Sequence, residues 1–246
     1  MSTALITLGQ DLQACRDLEE FWGRICRELE NYGISSAMYA AIAFRAEVDK
    51  KRVTSSAFIK TNHCRDYIET FGENTLIDDD YTAEVSVTSS EPLIWHTAQG
   101  WDGASKAQLK RGQIEREMGY FVGITVPTPY VAPGKLGGFG LAARSISPDE
   151  FDRMWTHKQA EIIAILAMLD SGMRREHMGE LIGLSPREKE CLTYLASGSR
   201  PAEIADKLKI SEKTLEIYVR GAKLKLKAGT RDSAVAKSIL FNLIDP

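Results

Sequence analysis

The chain has few cysteines and histidines and no long apolar run, and each shortage excludes a class of protein. Four cysteines (Cys15, Cys26, Cys64, Cys191) and four histidines are scattered over 246 residues with no CxxC spacing. A disulfide framework and a zinc site are thereby set aside, no cofactor is implied, and free buried thiols are expected. The longest apolar run, AEIIAILAML at 160–169, is about half of the ~20 residues that a membrane span needs. The opening MSTALITLGQDLQACRDLEE has acids soon after a short mixed start and no basic stretch ahead of an apolar one. No secretory leader is expected, and the protein is placed in the cytoplasm.

What is present is ordinary globular material, 43% hydrophobic, in a chain long enough for two domains. The net charge of −3 argues against a protein that coats nucleic acid, but its distribution is uneven. Residues 178–246 hold 12 Lys and Arg against 9 Asp and Glu, a balance of +3; residues 1–177 hold 19 against 25, or −6. A basic C-terminal unit follows an acidic N-terminal one.

Helix-period apolar positions (Leu12, Leu18, Phe21, Trp22, Ile25, Leu29) predict one helix over 10–33, closed near Gly33. SAMYAAIAF and RVTSSAFI read as strands of a hairpin across the charged turn RAEVDKK. Cys64, Tyr67, Ile68 and Phe71 share one helical face, SKAQLKRGQIEREMGY is a further helix, and FVGITVPTPY and GGFGLAARSI are strand-like. A long helix is predicted over 148–176, and GMRREHMGELIGL is the best linker. The expected fold is therefore α+β, an α/β/α sandwich over 1–176, then a linker at 177–183 and an all-α four-helix unit over 184–246.

In the C-terminal unit, Ser185, Pro186 and Glu188 form a capping box, Gly198 ends the first helix, RPAEIADKLK is a second, and Ser211 caps a third. In that third helix Leu215, Val219, Ala222 and Leu226 face the core, leaving Lys213, Thr214, Ile217, Arg220, Lys223, Lys225 and Lys227 on the opposite surface. A helix pair whose second member is basic outward suits a major groove, although a solvated basic face on a plain helical module has the same pattern. LSPREKECLTYLASG, EIADKL and ISEKTLEIYV resemble the LuxR-type helix-turn-helix of quorum-sensing regulators and many response regulators. That resemblance implies double-stranded DNA as partner and Arg200, Ser211, Lys213, Thr214, Glu216, Ile217, Arg220, Lys223 and Lys227 as its contacts. Where the family usually carries Val-Lys-x-His the chain has Leu215, Glu216, Ile217 and Tyr218, and Gly221 stands where Asn is common. Glu216 either accepts from a cytosine amino group or pairs on the helix surface with Lys213 or Arg220.

A phosphoacceptor receiver is disfavoured upstream, because the chain opens with a helix and its DDD run follows a helix and loop. That run also lacks the alternating ligands of a calcium loop, and GKLGGFG is not a phosphate-binding loop but a turn with close-packed strands. The order of elements instead resembles the autoinducer-binding domain of LuxR-type regulators. There an Asp accepts from the amide of an acyl-homoserine lactone and a Trp fifteen residues later packs on the ring, a separation kept by Asp80 and Trp95. Phe71 and Tyr67 stand where the family has Tyr and Trp, His63 where many members have Tyr, Tyr81 where Pro often follows the Asp, and Gly140 where Ser or Thr often faces the ligand. A phenol thus replaces the indole donor and one hydroxyl is lost. Without the resemblance, Tyr67, Phe71 and Trp95 read as core and Asp80 as a loop acid.

Together these features predict a homodimeric, non-enzymatic regulator, nucleoid-associated when bound to DNA, that senses an acyl-homoserine lactone or related small molecule. The alternative is a ligand-independent regulator controlled by a protein partner or a non-lactone signal. His63 beside Cys64 is the one adjacent nucleophile and base, and helical neighbours point to different faces.

Overall fold

The computed structural model describes residues 3–45, 56–72 and 80–245. The charged turn after Arg45 and the acids Asp78 and Asp79 lie outside the described residues. The chain divides into two compact units, Met1–Asp170 and Ser171–Pro246.

The first unit opens with two helices rather than the single one predicted, α1 (Thr3–Gln13) and α2 (Leu18–Glu30). The break is local: Asp17 adopts extended backbone and its side chain accepts from the Glu20 amide, starting a new helix. Five antiparallel strands follow, β1 (Ser36–Ile42), β2 (Ala57–Thr61), β3 (Leu93–Ile94), β4 (Gly123–Pro127) and β5 (Leu136–Ala142), in the order β2-β1-β5-β4-β3. Between them lie α3 (Arg65–Gly72), α4 (Tyr81–Thr88) and α5 (Lys106–Glu117), and α6 (Pro148–Gly172) closes the unit. The α+β sandwich expected from the sequence is the fold observed. Helix α4 was not anticipated, because the β-branched residues of YTAEVSVT hide the cap that Asp80 supplies through the Ala83 amide.

Strand alternation assigns each face of the sheet a task. Tyr39 pairs in register with Phe139, and the Tyr39 hydroxyl, buried on that face, donates to Asp170 of α6 at 2.8 Å. On the opposite face Met38 pairs with Gly140, which pairs with Thr125, and this face fronts α3, α5 and the candidate site. The GKLGGFG segment is close-packed strand as expected: a Cβ on Gly138 would stand 2.6 Å from the Ser86 Cβ of α4. Among the described residues no helix is long and apolar enough to cross a membrane.

The second unit begins with a wide helical turn (Met173–His177) and a short helix (Met178–Ile182) that ends on left-handed Gly183, so the segment expected as linker is helical. Then come α7 (Pro186–Ala196), α8 (Pro201–Leu208), α9 (Glu212–Lys225) and α10 (Arg231–Leu240). The Ser185–Glu188 capping box and the Ser211 cap form as predicted. Of the cysteines, all free, Cys26 and Cys191 are buried, whereas Cys64 is exposed and departs from the expectation of burial.

Candidate ligand cavity and nucleic-acid surface

A cavity of about 660 Å³ opens against the Met38 face of the sheet. Five of the six sequence-predicted ligand residues, His63, Tyr67, Asp80, Trp95 and Gly140, line it. Phe71 does not; it is buried behind Tyr67, with ring centroids 4.6 Å apart, and carries the Arg111 guanidinium over its face at 4.5 Å. Trp101, Tyr120 and Phe121 complete an aromatic wall. Small residues make room for it. A Cβ on Gly123 would overlap the Trp95 ring at 2.5 Å, and one on Gly112 would meet Trp101 at 2.8 Å.

The polar groups of this wall are already paired. The Trp95 indole N–H donates to Thr125 Oγ1 at 2.8 Å, and Trp101 Nε1 donates to the Trp95 carbonyl at 2.7 Å. His63 Nδ1 lies 2.6 Å from Ser36 Oγ, and burial, aided by Arg144, pulls this imidazole down to about 4, so it is neutral near pH 7. The Tyr67 hydroxyl donates to Glu115 Oε1 at 2.8 Å, which directs it away from the role of lactone donor that the resemblance implies.

The residue that organises this end is Arg111 of α5, which the sequence reading missed. It is 3% exposed, donates through Nη2 to Asp80 Oδ2 at 2.9 Å and reaches Glu115 Oε1 through Nη2 at 3.1 Å and Nε at 3.2 Å. Burial works against its charge, but the two carboxylates outweigh that and raise it further. Burial pushes Glu115 and Tyr67 upward as well. Asp80 Oδ1 is also engaged, accepting from the Ala83 amide at 3.0 Å and from Thr82 Oγ1 at 2.8 Å. The one sequence signal was Arg111 four residues before Glu115, which on an isolated helix reads as a common surface pair.

In the second unit α9 packs Leu215, Ala222 and Leu226 inward, as predicted, while Val219 is half-buried. Lys213, Glu216, Ile217 and Arg220 are exposed, Thr214 and Lys223 are half-exposed, and Ser211 and Arg200 are exposed at the caps of α9 and α8. Glu216, Arg220 and Lys223 share a groove with Arg231, which was not foreseen. Glu216 makes no ion pair among the described residues, so neither surface pairing considered for it forms. One lysine of this face turns to a partner within the unit: Lys225 Nζ pairs with the buried Glu188 carboxylate at 2.7 Å. Lys227 stays exposed and follows the helix in left-handed backbone (φ 50°). A Cβ on Gly221 would stand 2.5 Å from Glu188 Oε1, which accounts for glycine where the family commonly has Asn.

An α/β/α unit with a cavity, followed by a helix-turn-helix with an exposed polar and basic face, is the architecture of a DNA-binding regulator. Residues 17–170 match the autoinducer binding domain family, and residues 183–238 match the bacterial regulatory proteins of the luxR family. The chain is 24% identical over 195 residues to the transcriptional activator protein VanR of Vibrio anguillarum, covering 78% of this chain and 80% of that one. It is likewise 24% identical over 198 residues to the transcriptional activator protein LuxR of Aliivibrio fischeri, covering 78% and 77%. The crystal structure of Escherichia coli SdiA superposes with a TM-score of 0.55 at 18% identity, over 99% of each chain. The chain belongs to the LuxR family of autoinducer-binding transcriptional regulators, and it is a regulator rather than an enzyme.

Proposed function

We propose that a small molecule with an apolar tail, an acyl-homoserine lactone or a relative of it, fills the cavity of the first unit and controls binding of operator DNA by a homodimer in the cytoplasm. The observation that carries this reading is the aromatic-walled cavity of about 660 Å³, which falls in the usual range for small-molecule sites. A similar fold, SdiA, has been solved in complex with octanoyl-rac-glycerol, so lactone and non-lactone heads both belong in the test. A ligand at a hundredfold excess over its Kd stabilises the folded chain by about 2.7 kcal/mol, which makes folding itself part of the switch. Thermal unfolding of the full chain against acyl-homoserine lactones of graded length and against octanoyl-glycerol is expected to show a saturable upward shift. Absence of any shift removes the small-molecule reading.

One observation favours a non-lactone signal as second reading: Asp80, the expected acceptor of the lactone amide, is committed to Arg111 and to the cap of α4. A shift with octanoyl-glycerol and none with any lactone would establish it.

On the DNA side, the exposed stripe of Lys213, Ile217 and Arg220 is the surface proposed to enter the major groove, with Lys223 and Arg231 flanking it. Arg220→Ala is expected to weaken binding to a duplex selected from a random pool and to lower the slope of log K against log salt by about one phosphate contact. An unchanged affinity and slope would move the interface off this face.

A further inference from the structure

Two carboxylates face the polar end of the cavity, and their oxygens are in different states. Asp80 has both oxygens in use, Oδ1 by the Ala83 amide and Thr82 hydroxyl and Oδ2 by Arg111. Glu115 concentrates its partners on one oxygen: Tyr67 and Arg111 both donate to Oε1. Its Oε2 accepts no hydrogen bond among the described residues, and the side chain, 13% exposed, lines the cavity. A carboxylate oxygen held at a cavity wall away from bulk water is stabilised by an incoming donor more than a solvated one is, since nothing else replaces its lost hydration.

The geometry points to Glu115 Oε2, not Asp80, as the acceptor that anchors the signal, and to a ligand whose head is uncharged and carries an N–H or O–H donor beside an apolar tail. The assignment rests on the cavity being the small-molecule site. Arg111 and Tyr67 are then positioning residues: by holding Oε1 they fix the carboxylate plane and leave Oε2 directed at the ligand. The charge count sets the preference for a neutral head. Asp80, Glu115 and Glu117 line the cavity with Arg116, and Arg111 pairs with the first two, so three carboxylates stand against two guanidiniums and a carboxylate-headed ligand meets uncompensated negative charge. The tail has the aromatic wall of Trp95, Trp101 and Tyr120 to pack on.

The test compares three probes of equal chain length on the full-length protein by calorimetric titration: octanamide, which donates through N–H, methyl octanoate, which has no donor, and octanoate, an anion. Octanamide is expected to bind roughly tenfold tighter than methyl octanoate or better, the effect of a hydrogen bond to a charged acceptor, with octanoate weakest. In Glu115→Gln the side chain can turn an amide N–H toward the ligand, and the preference for octanamide is expected to fall below about threefold by the same reasoning. Because each ratio is measured on one protein, a general loss of stability does not imitate the result. Should Glu115→Gln not fold, Glu115→Asp keeps the charge for Arg111 and withdraws the oxygen by one methylene, and the same collapse of the ratio is expected. A ratio that survives in the variant, or octanoate binding tightest, overturns the assignment while leaving the cavity as the ligand site. Failure of all three probes and of the lactone panel to bind the wild-type chain removes the small-molecule reading, and this assignment with it.

Discussion

Arg111→Met lowers the stability of the first unit by about 3–5 kcal/mol at neutral pH, the expected result of removing one partner of a buried charge group and leaving the other charged. The side chain is 3% exposed and is shared by Asp80 and Glu115, so its loss strands two carboxylates at once in a poorly hydrated wall. Methionine keeps most of the volume over the Phe71 ring, which separates the charge effect from a cavity effect. The sign of the pH dependence follows from the acids. Burial already raises the Glu115 carboxyl above the usual carboxylate range, and without the guanidinium that holds it down it rises further. A carboxylate raised in the folded state binds its proton better there, so the destabilisation is greatest at neutral pH and shrinks as pH falls through the raised value. Denaturant melts of wild type and variant at pH 7 and pH 5 check this, and a gap that is constant or wider at pH 5 would contradict the buried-charge account.

Lys237→Ala produces the second large loss, about 3 kcal/mol, from the two hydrogen bonds of a charged donor and the space that it fills. Lys237 of α10 is fully buried, and its Nζ donates to the carbonyls of Leu226 at 3.1 Å and Lys227 at 2.6 Å, directly after the C-terminus of α9. A helix end leaves its last carbonyls unpaired and negative, and a buried ammonium satisfies both needs. Losing it frees the last turn of the helix that bears Arg220 and Lys223, so DNA affinity falls together with stability. Lys237→Met retains the packing of the stem and is expected to recover part of the stability and none of the lost carbonyl pairing. A denaturation midpoint for Lys237→Ala within about 0.5 kcal/mol of wild type would show that water replaces the ammonium at no cost, as it does at an exposed helix end.

The helix-turn-helix unit was legible because its signals are local. Ser185 with Glu188, Ser211 with Thr214, and the inward row Leu215, Ala222 and Leu226 all act within one helix, and each occupies the place that its spacing predicts. The break at Asp17 and helix α4 were less legible, since a single capping acid competes there with an apolar period or with β-branched residues. The cavity was half legible. Asp80 and Trp95 carry the family's separation, and both line it.

Sequence alone therefore determined the two-part architecture, the helix-turn-helix and part of the cavity wall, because capping, periodicity and family spacing are written in neighbouring residues. Only the tertiary structure decided what the polar groups of the cavity do. Arg111 and Asp80 are separated by 31 positions, and Tyr67 and Glu115 by 48, and their meeting depends on how α3, α4 and α5 come together against the sheet. A carboxylate's partners fix its charge and the direction of its free lone pairs, and those partners are a property of packing. That is how Asp80 becomes a helix cap and ion-pair partner and Glu115 the acceptor left facing the cavity.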